Sequence, residues 1–138
     1  MTLDKLLNPI EHQIKLYGDV IPVLKNLSKK FNLIIISHAH RNLLDLKLNK
    51  LKINKFFSHT FSTISDFGVM NKSAEVYKKI SEILNVPLQN IVHIGDDYQF
   101  DYQVPMSMGI RCFLIDRKGS KKEYYIVRNL FEFEEKLF

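Results

Sequence analysis

Three carboxylates crowd one stretch of the chain: Asp96 and Asp97 directly follow the run Ile91-Val92-His93-Ile94-Gly95, and Asp101 comes shortly after. An apolar run that opens into acidic residues is the pattern of a buried strand giving way to a loop. In an α/β fold the carboxyl end of a parallel strand is where ligands collect, and oxygen-rich side chains there suit a hard cation such as Mg²⁺. Two other residues hold comparable positions. Ser37 ends the run Leu33-Ile34-Ile35-Ile36, and Lys72 stands just ahead of a segment with helical apolar spacing. A hydroxyl donor, a cation and a carboxylate pair are what a phosphoryl group accompanied by Mg²⁺ requires. Taken singly, each has a plainer reading: Ser37 as a cap, Lys72 as a surface lysine, Asp96 as a turn residue.

The histidines could supply a different chemistry. His38 and His40 follow the first apolar run at spacing two, and with Asp96 they offer a transition-metal set in principle. A loop carrying two incidental histidines is the preferred reading. His93 alternates within a strand and reads as a satisfied core histidine, while His12 and His59 carry no signal. Tyr98 and Phe100 read as packing residues rather than a base-stacking platform.

The elements that must position these residues follow from periodicity. Leu3, Leu6, Leu7, Ile10 and Ile14 have near-helical spacing interrupted by Pro9, which predicts a short or broken helix at the N-terminus. Val20, Val23, Leu24 and Leu27 predict an amphipathic helix, and Leu33 to Ile36 a buried strand. Leu44, Leu48 and Leu51 mark the next helix, and residues 56–63 a strand rich in aromatic and Thr residues. Ser73 is a plausible N-cap for a helix carrying Val76, Tyr77, Ile80, Ile83 and Leu84, which Pro87 closes. Strands at 91–94 and 111–115 flank a short helix near 102–108. Residues 124–127 add a short strand before a C-terminal helix. Strands alternating with helices predict a parallel sheet covered on both faces.

With 138 residues, 46% hydrophobic and 25% charged, the chain reads as a single globular domain with one core. Its one cysteine, Cys112, excludes an internal disulfide framework and falls in the apolar run Cys112-Phe113-Leu114-Ile115, as a buried strand residue. No apolar stretch approaches the roughly 20 residues of a membrane span, and the N-terminus lacks the layout of a signal peptide. A cytoplasmic protein with no membrane partner is expected. The net charge of +5 is uneven: Lys25, Lys29, Lys30, Arg41, Lys47, Lys50, Lys52 and Lys55 are opposed over their stretch by Asp45 alone. The solvated face of two helices is the preferred reading of this basic half; weak binding of nucleic acid is the alternative, and it predicts steep salt sensitivity.

In order and context these residues resemble the haloacid dehalogenase-like (HAD) hydrolases, over about residues 17–133. The stretches Ile36-Ser37-His38-Ala39-His40-Arg41-Asn42-Leu43 and Gly95-Asp96-Asp97-Tyr98-Gln99-Phe100-Asp101-Tyr102-Gln103-Val104-Pro105 carry the likeness. In that family a Ser or Thr ends the second strand, a Lys precedes a later helix, and a Gly-Asp pair with a further Asp follows the fourth strand. The resemblance implies an α/β, three-layer Rossmann-like core with a mostly parallel sheet, and a Mg²⁺-dependent phosphatase acting on a phosphorylated small molecule. It implies that Ser37, with the adjoining His38, binds the phosphoryl oxygens and that Lys72 offsets their charge. Asp96 would coordinate Mg²⁺, with Asp97 or Asp101 in support. His38 stands where Asn is usual in the family, and Ser73 where Pro is usual.

The family's nucleophile and general acid lie in an Asp-x-Asp motif on the first strand, and no two aspartates in this sequence are two residues apart. Asp4 is the early candidate, but Leu6 holds the second position. The expectation is therefore a truncated core without the central strand and cap, in which residues 1–17 are a remnant of the cap-to-core connection and 18–138 the core. Without an aspartate nucleophile no acyl-phosphate forms, so the isolated chain is expected to be inactive and to hold Mg²⁺ weakly. A non-catalytic binding or assembly module is the alternative. The two inner strands must then pair directly, recruit the chain's own N-terminus, or accept a strand from elsewhere, by homo-oligomer formation or from a complementing N-terminal segment.

Overall fold

A computed structural model of the chain describes residues 7–10 and 13–138, with side chains from Leu16 onward. Asp4, Leu6 and His12 lie outside the described residues. The order of elements is β1 (Leu7–Ile10), β2 (Gln13–Leu16), α1 (Val20–Ser28), β3 (Leu33–Ser37), α2 (Arg41–Leu51), β4 (Phe57–Ser62), α3 (Thr63–Phe67), α4 (Ala74–Leu84), β5 (Val92–Gly95), α5 (Val104–Ser107), β6 (Arg111–Ile115), β7 (Ile126–Val127) and α6 (Leu130–Leu137). A π-type turn over Tyr98–Gln103 leads into α5.

One expectation is overturned at the start. Where a short helix was predicted, β1 and β2 form an antiparallel pair with Leu7 opposite Leu16 and Pro9 opposite Ile14. Pro9 cannot donate within a helix, and the sequence Gln13-Ile14-Lys15-Leu16 alternates polar and apolar residues, the period of a strand.

The remaining strands are parallel throughout. β3 pairs with β4, aligning Ser37 with Ser62, and β5–β6–β7 form a second ladder with Gly95 opposite Leu114. β3 and β5 are not bonded to each other, so the expected sheet is present as two ladders. Of the outcomes foreseen for the inner strands, direct pairing is not found, and the described N-terminal strands pair with one another.

Alternation along the strands builds a three-layer sandwich. Leu33 and Ile35 face the core formed with α1, α2 and α6, which includes Leu24, Leu44, Phe113 and Phe133. Ile34 and Ile36 face the opposite core, with Val76 and Ile80 of α4 and with Cys112. Covering both faces explains why β3 reads as an unbroken apolar run rather than an alternating one. The buried carboxylate of Asp19 clips the first core together. It accepts from both Arg117 terminal nitrogens at 3.1 and 3.2 Å and from the Leu130 amide at 2.6 Å, joining the start of α1 to the segment after β6 and to α6. Among the described residues no helix is long and apolar enough to cross a membrane.

Candidate functional site

Direction comes first. One cavity touches the amino ends of both inner strands, at Leu33 and Ile34 of β3 and at Ile91 and Val92 of β5. The two strands therefore run the same way, and Ser37 and Gly95 emerge together at the other end of the ladders. This is the carboxyl end, where an α/β fold places its ligands.

On the β3–β4 side, Ser37 is buried and its Oγ accepts from the Ala39 amide at 3.1 Å, shaping the turn into α2. Ser62, at the end of β4, donates to the Ala39 carbonyl at 2.6 Å and caps α3 through the Ser65 amide. Arg41 at the start of α2 donates to Thr60 Oγ1 at 2.6 Å, to the Thr60 carbonyl at 2.7 Å and to Asp66 at 2.5 Å, and Asp66 also accepts from the Ser62 amide. Sequence reading counted Arg41 with the solvated basic face. Besides Asp45 one turn along α2, it bonds Thr60 of β4 and Asp66 of α3, 19 and 25 residues away, and no local period announces such a clamp. His38 and His40 are exposed.

The β5 side is built differently. Lys72 is 4% exposed and Asp101 1%, and Lys72 Nζ donates to Asp101 Oδ1 at 2.9 Å. His93 reaches the same oxygen through Nε2, also at 2.9 Å, while Asp101 Oδ2 accepts from the Asp97 amide at 3.0 Å. An ionised carboxylate only accepts, so His93 Nε2 carries its proton. Tyr77 donates its hydroxyl proton to the Phe100 carbonyl at 2.6 Å and turns its oxygen toward His93 Nε2 at 3.2 Å. Burial would raise the Asp101 pKa, but the His93 hydrogen bond and the Lys72 charge outweigh it and hold the carboxyl far below its ordinary value. Burial dominates for His93, whose pKa falls to about 4 despite the neighbouring carboxylate. His93 is thus a neutral donor and Asp101 a charged acceptor.

Gly95 permits this arrangement, because a Cβ there would overlap Cγ and Oδ2 of Asp101. Asp97 caps the π-type turn by accepting from the Phe100 amide at 2.9 Å, and Asp96 is exposed. Tyr98 stacks on Tyr102 and Tyr102 on Tyr125, with ring centroids 5.6 and 3.9 Å apart, which accords with a packing role.

The structure thus unites Lys72, Asp97 and Asp101 in one hydrogen-bonded loop and sets Ser37 at the same end. Among the described residues no group of three or more His, Cys, Asp or Glu side chains is arranged to hold a metal, so the His38–His40–Asp96 alternative gains no support. The oxygen donors still suit Mg²⁺, which commonly uses one or two carboxylates completed by phosphate and water. Asp96 and Asp97 stand side by side after β5, with Asp97 already accepting from the Phe100 amide. His93 is the satisfied core histidine that the sequence suggested, and what the sequence did not show is that Asp101 satisfies it. The position of His93 two residues before Gly95 was the available signal, since both then face the same side of the strand.

A family model described as haloacid dehalogenase-like hydrolase matches residues 6–105. Haloacid dehalogenase-like hydrolase domain-containing protein 3 of Danio rerio is 34% identical over 62 residues, covering 45% of this chain and 26% of that protein. A HAD phosphatase from Thermococcus onnurineus superposes with a TM-score of 0.82 at 24% identity, covering 91% of this chain and 60% of that one. The putative HAD-hydrolase YfnB from Bacillus subtilis, in a structure bound to magnesium, superposes with a TM-score of 0.80 at 20% identity, covering 89% and 55%. At these identities the structural likeness is one of fold. The chain spans about a quarter of the length of the curated relative.

Proposed function

Because the chain belongs to the haloacid dehalogenase-like hydrolase family, we propose that it forms the phosphate- and Mg²⁺-holding part of a phosphate-ester phosphatase whose nucleophile comes from outside these residues. One observation carries the reading: a lysine and an aspartate are buried as a pair at the strand ends that also carry Ser37 and Asp96. Burying an ion pair is costly, and a fold that needed only stability there would do as well with apolar residues. Fixed charge at a ligand-binding edge is instead suited to meeting another charge.

Each residue then has a physical task. Ser37 donates to a phosphoryl oxygen from the turn before α2, beside His38. Lys72, held in place by Asp101, offsets the negative charge. Asp96 and Asp97 would hold Mg²⁺, which when bound supplies charge neutralisation of the phosphoryl oxygens. Asp101 supports the metal side indirectly, because its Oδ2 fixes the Asp97 amide. The sequence contains no Asp-x-Asp, so the chain alone forms no acyl-phosphate and turns over no ester.

Calorimetric titration of the chain with inorganic phosphate, with and without Mg²⁺, tests this. Weak, Mg²⁺-dependent binding is expected, lost in Asp96→Asn, whose exposed side chain makes it a mild change for the fold. Failure of phosphate to bind at millimolar Mg²⁺ would overturn the reading in favour of a non-catalytic module. Turnover of an aryl phosphate by the chain alone, abolished in Asp96→Asn, would overturn the external nucleophile.

A further inference from the structure

The loop over residues 116–125 joins β6 to β7 and carries charge that the phosphate site does not use. Its place follows from register. β7 is two residues long and pairs with the last two residues of β6, Ile126 with Leu114 and Val127 with Ile115, so the loop leaves and returns at the carboxyl end of this ladder. β6 pairs in turn with β5, setting Leu114 beside Gly95. The loop therefore rises on the edge that holds Asp96 and Asp97. Tyr98, next after Asp97, stacks on Tyr102, and Tyr102 on Tyr125, which ties the returning loop to the π-type turn.

The loop backbone is fixed from within. The Asp116 carboxylate accepts from the amides of Lys118, Ser120 and Lys121 and from the Ser120 hydroxyl, at 2.9 to 3.3 Å. Gly119, at φ +67°, lies against Arg128, where a Cβ would stand 2.8 Å from Cδ. Arg117 is held by Asp19 and Arg128 by Glu132. Lys118, Lys121 and Lys122 are exposed, and Glu123 is the one acidic residue among 117–124. Lys121, Lys122 and Arg128 line a hollow of about 510 Å³ together with Glu123, Tyr124 and Glu132.

We propose, on the basis of the phosphate site above, that this loop binds a second phosphoryl group, so that the substrate is a small bisphosphate rather than a simple monoester. Distance and charge both favour it. β7 lies two strand spacings from β5, about 10 Å, a span that a hexose bisphosphate bridges. Lysine carries a point charge on a long flexible stem, so Lys121 and Lys122 can meet a phosphate without a rigid cage. Cations grouped on one edge also draw a multiply charged ligand toward it.

Calorimetric titration of the full chain at saturating Mg²⁺ with inorganic phosphate, glucose 6-phosphate and glucose 1,6-bisphosphate tests this. The bisphosphate is expected to bind about tenfold more tightly than the monoester, the sum of a few individually weak exposed contacts. A double variant, Lys121→Gln with Lys122→Gln, should lose that margin while phosphate and the monoester bind as before. Both side chains are exposed, so an unchanged melting temperature is expected of the variant. Equal binding of the two sugar phosphates would overturn the second site and leave the phosphate site standing. A margin that survives in the double variant would also overturn it, by assigning the extra affinity to chelated Mg²⁺. If inorganic phosphate does not bind, the phosphate site itself fails, and this inference with it.

Discussion

The two ladders end in sites of opposite character. Where β3 and β4 finish, Ser37 and Ser62 work through hydroxyls and backbone groups, and the ion pair of Arg41 with Asp66 leaves each side chain about 30% exposed. Where β5 finishes, Lys72, His93 and Asp101 are sealed from solvent, and two cations or donors converge on one carboxylate oxygen. The Arg41–Asp66 pair can exchange partners with water when disturbed, although Ser37 and Ser62 beside it are buried. The Lys72–Asp101 pair cannot, because a charge left without its partner in a dry environment has nowhere to turn. The same edge of the fold thus carries a tolerant ion pair and an intolerant one.

The largest break in this contrast is Lys72→Met, which leaves the Asp101 carboxylate buried without its main countercharge. A loss of about 3–5 kcal/mol in chemical denaturation is expected. The loss should shrink as pH falls, because removing the Lys72 charge lets His93 take up a proton and restore a partner. A small, pH-independent loss would show that the pair is not sealed.

Acid should act on the same side next. His93 has a folded pKa of about 4 against an ordinary 6.5, so its contribution is complete above pH 6.5. As pH drops from 6.5 to about 4 the unfolded chain takes up a proton that the folded chain does not, and stability falls by up to about 1.4 kcal/mol per pH unit. Asp101, depressed below 3.8, extends the loss under more acidic conditions. Urea midpoints measured between pH 7.5 and 4 check this, and a flat profile would contradict a neutral buried His93.

Gly95→Ala sharpens the comparison sterically. The added methyl must displace Asp101 rather than a flexible surface group, costing about 1–3 kcal/mol and weakening phosphate binding in the titration described above. On the tolerant side, Arg41→Ala should cost only about 1 kcal/mol, because Thr60 and Asp66 can turn to water. Equal costs for Gly95→Ala and Arg41→Ala would erase the distinction. Glu75→Ala, which breaks an exposed pair with Lys79 on α4, should change stability by less than about 0.5 kcal/mol.

Much of the fold was legible because its signals are local. The runs at Leu33–Ser37 and Cys112–Ile115 read as buried strands and are such, and the Val76, Tyr77, Ile80 stripe between Ser73 and Leu84 marked α4. Ser73 does sit at the N-cap position, although its side chain makes no capping bond. Pro9 carried the clue that the leading segment is not helical, yet near-helical leucine spacing outweighed it. The relevant competition there was between two periods in one short stretch, and pairing with a second strand decided it.

By itself the sequence determined the order of strands and helices from α1 onward, apart from the short α3, and the positions of Ser37, Lys72, Asp96 and Asp97 at their ends. Apolar period and chain punctuation act over a few residues and do not depend on what folds against them. Only the tertiary structure decided that Lys72 meets Asp101, that His93 and Tyr77 complete the network, and that β3 and β5 remain separate ladders. Charges and strand edges are satisfied through space, by whichever group the packing brings within hydrogen-bond reach, and residues far apart in the chain carry no local mark of that meeting.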